Sequence, residues 1–240
     1  WSRGLGDVYK RQEFVEPKRW CFPLTKINAA WDFNDAVKKV RDEFLENVRL
    51  HLRSDVPLGA TLSGGVDSSA VVCAIRYLEP NLPIHTFSFI ADDSDVNEEY
   101  WIDRINSHVN AVPHKVSLRS EELVKDINCV VETQGEPFGS TSIYAQYRVY
   151  KLAHEKGIKV ILDGQGADEM LAGYLGYPGQ RMRSLIETRN LYAAFKFFNK
   201  WSKWPGRNKL MAIKYLISEL TDGLFYELLR RIDNKPSLSL

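Results

Sequence analysis

Across residues 56–174, short apolar runs alternate with helical patterns, and twice an apolar run ends in a glycine turn that opens a helix. No other feature of the chain constrains its fold as strongly. Pro57-Leu58-Gly59-Ala60-Thr61-Leu62 leads into Ser63-Gly64-Gly65, and residues 68–78 then carry Ala70, Val71, Ala74, Ile75 and Leu78 at helical spacing. Residues 84–90, 112–118 and 158–162 read as further strands, the last a buried β-branched run. Residues 97–110, the stretch capped by Ser120, 143–156 and 167–174 read as helices, with Gly157 ending the third. Strand-helix alternation of this kind predicts an α/β fold, a parallel sheet covered by helices on both faces. In such sheets ligands bind beyond the carboxyl ends of the strands, where strand order reverses. Both glycine turns, 63–65 and 164–166, follow a strand and therefore belong to that edge.

The flanking regions are less periodic. Residues 1–34 read as an irregular lead-in punctuated by Pro17, Pro23, Trp20 and Trp31, followed by a helix capped at Asn34 or Asp35 and running to about Arg53. Val37, Val40, Phe44, Val48 and Leu52 would form its one buried stripe. The expected organisation is a lead-in over 1–34, an α/β domain over 35–178 and a helical extension over 179–240. The extension carries twelve basic against five acidic residues. These are dispersed among Phe195, Phe197, Phe198, Trp201 and Trp204 as on the solvated face of an amphipathic helix, so no nucleic-acid partner is expected.

Composition excludes several classes. Among 240 residues, 44% are hydrophobic and 26% charged, with a net charge of +1. These values rule out collagen-like, low-complexity and wholly disordered chains. No apolar run is long enough for a membrane helix, and residues 1–12 contain no stretch of signal-peptide type. Cys21, Cys73 and Cys129 are too few and scattered for a disulfide framework or a zinc site, which fits a reducing, cytoplasmic setting and plain packing. The histidines at 51, 85, 108, 114 and 154 show no ligand spacing.

The first loop, Ser63-Gly64-Gly65-Val66-Asp67-Ser68-Ser69, reads as a pyrophosphate cradle. Adjacent glycines let the backbone approach a ligand, and the following helix start offers unpaired N–H groups to an anion. The hydroxyls of Ser63, Ser68 and Ser69 add donors. Asp67 would repel a phosphate unless Mg²⁺ bridged the two, since Mg²⁺ is held by few carboxylates together with phosphates. An ordinary turn with Asp67 as a helix cap is the plainer alternative. The loop has neither a Gly-Lys-Ser/Thr nor a Gly-x-Gly-x-x-Gly pattern. The second loop, Leu162-Asp163-Gly164-Gln165-Gly166-Ala167-Asp168-Glu169, repeats the design and is followed by Ala172-Gly173-Tyr174. Asp67 and Asp168 would face each other across the ligand edge, whereas Glu169 reads equally well as an acid stabilising a helix start.

The first loop resembles the PP-loop, Ser-Gly-Gly-x-Asp-Ser, of the ATP pyrophosphatases. With the second loop, the resemblance narrows to the synthetase domain of glutamine-dependent asparagine synthetases. It covers residues 56–174, His85-Thr86-Phe87-Ser88 included, together with the helical segment before them. It implies a three-layer adenine nucleotide alpha hydrolase-like fold with a helical C-terminal addition. The implied activity is an ATP-dependent carbon-nitrogen ligase that adenylates the side-chain carboxylate of aspartate and amidates it with ammonia, releasing AMP and pyrophosphate. The resemblance implies that Ser63, Gly64, Gly65, Asp67, Ser68 and Ser69 hold ATP phosphates. Leu62, Phe89, Asp163 and Gly164 would lie by the nucleotide, Asp67 and Asp168 would bind Mg²⁺, and Asp67, Asp168 and Gln165 would serve catalysis. Part of an amino-acid pocket is implied near 136–148, with Ser140, Thr141, Ser142 and Arg148 as candidates, Arg148 as a carboxylate clamp or a surface residue. A homodimer is left open.

Three departures qualify the resemblance. Gln165 stands where many members have Glu, and Asp163 where many have Ser; Gln cannot take a proton. No N-terminal cysteine serves as a glutaminase nucleophile. The C-terminal helices carrying a Lys that stabilises the adenylation transition state do not show their pattern. A fragment is therefore expected, with residues 1–12 read as non-native and the glutaminase domain missing. The rival readings are an adenylating ligase for another acceptor, of β-lactam synthetase type or from surface or secondary metabolism, and a nucleotide-binding fragment without catalysis. A tRNA-modifying PP-loop enzyme is disfavoured by the second loop.

Overall fold

In the computed structural model, which describes residues 31–91, 97–117 and 120–220, four strands form one wholly parallel sheet. They are β1 (Leu58–Thr61), β2 (His85–Ile90), β3 (Val112–Ser117) and β4 (Val160–Leu162), in the order β3-β2-β1-β4. Order reverses between β1 and β4, where Gly59 pairs with Ile161 and Ala60 with Leu162. The α/β class and the parallel sheet expected from the alternation are present.

The helices of this region are α1 (Phe33–His51), α2 (Val66–Leu78), α3 (Glu99–Val109), α4 (Ser120–Gln134), α5 (Thr141–Glu155) and α6 (Ala167–Leu171). Three more follow: α7 (Tyr177–Glu187), α8 (Leu191–Trp201) and α9 (Lys209–Leu220). The chain divides into two compact units, residues 1–44 and 45–240. The first contains the beginning of α1. Its cap is Asp32 rather than Asn34 or Asp35: Asp35 N–H donates to Asp32 Oδ1 at 2.8 Å and Asp32 N–H to Asp35 Oδ2 at 3.1 Å. The α1 stripe is buried at Val48, but Val37 and Val40 are 50% and 53% exposed. Residues 1–30, Cys21 among them, lie outside the described residues.

The period of two along β2 sorts the second unit's core. Phe87 packs with Val149, Ala153 and Ile158, joined by Phe89, Val116, Leu152 and Ile161, so α5 covers that face. Thr86, fully buried, points to the other face, where its hydroxyl donates to Asn106 Oδ1 of α3 at 2.6 Å. β1 and β2 meet so closely that a Cβ on Gly59 would lie 2.8 Å from Phe87 Cε2 and 2.9 Å from the His85 carbonyl oxygen.

Several boundaries differ from the sequence reading for local reasons. Helix α2 starts earlier, at Val66, because Gly65 acts as its cap. Helix α3 ends when Asn110 turns left-handed at φ 49°. Helix α4 begins at Ser120. Ser140 caps α5 by accepting from Ser142 N–H, and α6 stops at Leu171 because Ala172 is left-handed.

Over residues 179–220 the extension is largely helical, in α7, α8 and α9, and residues 221–240 lie outside the described residues. Met182, Trp201 and Ala212 form its core, and the Arg207 guanidinium lies 5.5 Å from the Trp201 ring. Phe195 and Trp204 are exposed. Cys129, expected to pack, is exposed as well; Cys73 is half-buried, and burial pushes its thiol up.

Substituting Gly59→Ala is expected to destabilise the protein by about 1–3 kcal/mol, because the added methyl has no space between the strands. Thermal unfolding would show this as a fall of several degrees in Tm; an unchanged Tm would contradict the close β1–β2 approach.

Candidate functional site

The sheet itself creates the site. A cavity of about 610 Å³ opens at the carboxyl ends of β1 and β4, where strand order reverses. Leu62, Ser63, Asp67 and Ser68 line it from the first loop, and Asp163, Gly164, Gln165 and Asp168 from the second. Phe89 reaches it from β2. Gly64, Gly65 and Ser69 are not on its wall; they shape the turn behind it.

The first loop is held by its own polar groups. Gly64 has φ +86°, and a Cβ there would press on the Glu98 carbonyl oxygen at 3.2 Å. Ser68 is buried; its hydroxyl accepts from Ser63 N–H at 3.2 Å, lies 3.0 Å from the Ser63 hydroxyl and donates to the Gly65 carbonyl at 3.3 Å. The serines thus fix the turn as well as facing the cavity. No side chain caps α2, whose cap residue is Gly65, so its first turn faces the cavity without a side-chain acceptor. Ser69 N–H makes the first α-helical bond, to the Gly65 carbonyl.

The second loop is pressed against that turn. A Cβ on Gly164 would stand 2.8 Å from Ser68 N and 2.9 Å from Asp67 C. Only glycine lets the two loops touch in this way. Beyond it Gly166 takes φ +90° and opens α6. Gly173 lies under Asp168, and a Cβ there would fall on Asp168 Oδ1. Glu169, on the same wall, accepts from the Tyr174 hydroxyl at 2.8 Å, and that bond pushes the Tyr174 phenol up.

Some wall residues were not singled out by the sequence motifs. Glu98 comes from the start of α3, and Gln146 and Val149 from α5. The last two follow from the helical register of α5, which turns 145, 146 and 149 toward the sheet edge. A hydrogen-bonded chain runs behind the second loop: Gln146 Nε2 donates to Tyr150 Oη at 3.0 Å, and the Tyr150 hydroxyl donates to Asp163 Oδ2 at 3.0 Å. Gln165 N–H donates to Asp163 Oδ1 at 3.2 Å. Burial, and then the facing Asp163 carboxylate, push the Tyr150 phenol up.

Other candidates lie elsewhere. Arg148 is not on the cavity wall; its guanidinium reaches α4, at 3.2 Å from both Glu122 Oε1 and Asp126 Oδ2, and donates to Tyr144 Oη. It is neither a clamp in this cavity nor a free surface residue. Ser140 caps α5 and shares a hydrogen bond with Ser142, and neither they nor Thr141 line the cavity. His85 and His114, read as unrelated, meet across β2 and β3 with Nδ1 and Nε2 2.9 Å apart. Burial, His85 and Lys156 push His114 down. The pair occupies the amino end of β2, away from the cavity. Among the described residues, no group of three or more His, Cys, Asp or Glu side chains is arranged to hold a metal ion, and no helix is long and apolar enough to cross a membrane.

The family model described as asparagine synthase matches residues 39–232. Asparagine synthetase 1 (glutamine-hydrolysing) of Bacillus subtilis strain 168 is 33% identical over 165 residues, covering 66% of this chain and 26% of that protein. Asparagine synthetase B (glutamine-hydrolysing) of Escherichia coli K12 is 28% identical, covering 60% and 30%. Amidase chyE of Penicillium rubens is 29% identical, covering 58% and 23%. The chain thus spans less than a third of the length of these relatives. Among solved structures, an NH3-dependent NAD synthetase from Campylobacter jejuni aligns over 60% of this chain and 62% of that one, with a TM-score of 0.37 and 20% identity.

The Tyr150–Asp163 bond has a titration signature. The phenol is held above its ordinary pKa in the folded state, so the bond's contribution is present at neutral pH and is lost as pH rises through that folded value. Ultraviolet difference titration against Tyr150→Phe should show a lower Tyr150 pKa when Asp163→Asn removes the charge. An unmoved titration would mean that the two groups do not face each other.

Proposed function

The chain belongs to the asparagine synthase family, and from that premise we propose that its cavity binds Mg²⁺-ATP and serves an AMP-forming, carbon-nitrogen-bond-forming ligase. The carrying observation is that one cavity, at the reversal of strand order, gathers residues from both glycine loops.

ATP suits the first loop on physical grounds. The α2 start, which no side chain caps, offers backbone donors to phosphate oxygens, and the left-handed Gly64 sets the turn that leads into it. Leu62, Phe89 and Gly164 would flank the adenine, with contacts made largely by main chain. The donor set also fits Mg²⁺: Asp67 and Asp168 bring hard carboxylate oxygens from opposite loops to the same wall. Bound there, Mg²⁺ would offset the charge of the leaving pyrophosphate. Gly173 leaves room for the Asp168 carboxylate, while the Ser63–Ser68 bonds keep the first loop in one shape.

In the proposed reaction the side-chain carboxylate of aspartate attacks the α-phosphorus and the bond to pyrophosphate breaks. An amine then attacks the acyl carbon and AMP departs. The chain's residues act by positioning and electrostatics. Gln165, on the cavity wall, would hydrogen-bond the acyl group. The names of the bacterial relatives describe glutamine hydrolysis, and ammonia for this chain would come from a glutaminase domain; the setting would be cytoplasmic. A second reading, an adenylating ligase for another acceptor, is favoured by Asp163 and its Tyr150 partner on the cavity side and by the likeness to an amidase.

Calorimetric titration with Mg²⁺-ATP should give saturable binding that falls at least about tenfold in Asp67→Ala, as expected for loss of a charge-assisted contact. Gly173→Ala should weaken binding as well, by moving Asp168, while leaving the melting curve close to the parent's. A folded chain that binds no Mg²⁺-ATP would overturn the nucleotide reading.

A further inference from the structure

Asp163 is built as a fixed anion. Each of its oxygens accepts one bond, from Tyr150 Oη at 3.0 Å and from Gln165 N–H at 3.2 Å. A carboxylate has about four lone-pair sites, so these two donors orient the group without saturating it. The Tyr150 hydroxyl is itself aimed, because Gln146 Nε2 donates to it at 3.0 Å and leaves its proton for Asp163. Both supporting donors are neutral. Among the described residues no Lys, Arg or His side chain lines the cavity. Arg148, two residues from Tyr150 on α5, is turned the other way and paired with Glu122 and Asp126. The negative charge at Asp163 is therefore held at the wall by neutral donors.

We propose that Asp163 binds the attacking nitrogen of the ligase reaction in its protonated form, as ammonium or a primary ammonium group, and that Tyr150 is the positioning residue that aims it. The proposal rests on the ligase reading above and names the nucleophile's subsite within the same cavity. A small cation fits the remaining lone pairs of a carboxylate oriented in this way, with a charge-assisted hydrogen bond. Loss of one proton from the bound ammonium to water frees the lone pair that forms the C–N bond as the C–O bond to AMP breaks. A second proton then leaves the product nitrogen to water. The backbone bond from Gln165 N–H ties this subsite to the turn that carries the Gln165 side chain, so nucleophile and acyl group would be set by the same few residues.

The test is a competition between two nucleophiles for one acyl-adenylate. Ammonium is charged near neutral pH and hydroxylamine is not, so the ratio of amide to hydroxamate reports charge recognition and cancels any effect on adenylation. With Mg²⁺-ATP and aspartate, Asp163→Asn should lower the ratio about tenfold, the size expected for one charge-assisted bond. Tyr150→Phe should lower it less. An unchanged ratio in Asp163→Asn, in a protein that still forms hydroxamate, overturns the proposal. An equal loss of both products assigns Asp163 a structural or nucleotide role and overturns it too. ATP–pyrophosphate exchange by the unsubstituted chain checks the underlying reading separately. No exchange there would overturn the ligase reading and this proposal with it, whereas exchange with an unchanged ratio overturns this proposal alone.

Discussion

The approach of Gly164 to the first turn of α2 sets the geometry of everything around the cavity. With 2.8 Å between an added Cβ and Ser68 N, no other residue fits without parting the loops. That contact fixes how far β4's loop stands from β1's loop, and so the width of the cavity between them. It also places the Asp163 and Gln165 turn over the α2 start instead of beside it. The parallel pairing of β1 with β4 brings the loops to the same edge, but the missing side chain at 164 lets them touch. A cavity at the switch point follows from topology; its shape follows from this one glycine.

Much of this was legible in the sequence because it is local. The strand-turn-helix order around 63–65 and 164–166 could be read from apolar runs and glycines. So could the parallel class, since alternation with intervening helices leaves few other arrangements. What escaped the reading depends on register between distant segments. His85 and His114 meet because Phe87 pairs with His114 across β2 and β3, an alignment that no spacing within either strand reveals. Arg148 was read as a clamp or a surface residue, whereas the facing helix α4 supplies Glu122 and Asp126. The Gln146–Tyr150–Asp163 chain joins a helix to a loop, and a helical pattern alone does not say which face meets which strand end. Helix ends were also misplaced where the backbone, not the side chain, decides: Gly65, Asn110 and Ala172 stop or start helices by their dihedral angles.

The same helix therefore separates two electrostatic environments. On one side of α5, Arg148 is neutralised by two acids of α4, and nearby Lys115 of β3 is held at 2.8 Å from Glu99 and 2.6 Å from Asp103. Arg148 ties α5 to α4, and Lys115 ties β3 to α3. On the cavity side, the acids Asp163 and Glu169 are supported by phenols, from Tyr150 and Tyr174. A phenol orients a carboxylate without cancelling its charge. Arg148 and Lys115 are thus paired outside the cavity, while Asp163 and Glu169 on its wall are held by neutral hydroxyls.

That division bears on which ligands the cavity can take together. Asp67, Glu98, Asp163, Asp168 and Glu169 all line it, and carboxylates gathered on one wall disfavour the entry of a further anion. A polyphosphate alone would add to the repulsion, and the backbone donors of the first loop offset only part of it. On the proposed reading, cations that enter with the ligands would relieve it: Mg²⁺ held by Asp67 and Asp168, and a protonated amine held by Asp163. Each cation lowers the cost of placing the anionic partner beside it. On that reading, a site arranged in this way would favour having its reactants present together over holding any one of them alone.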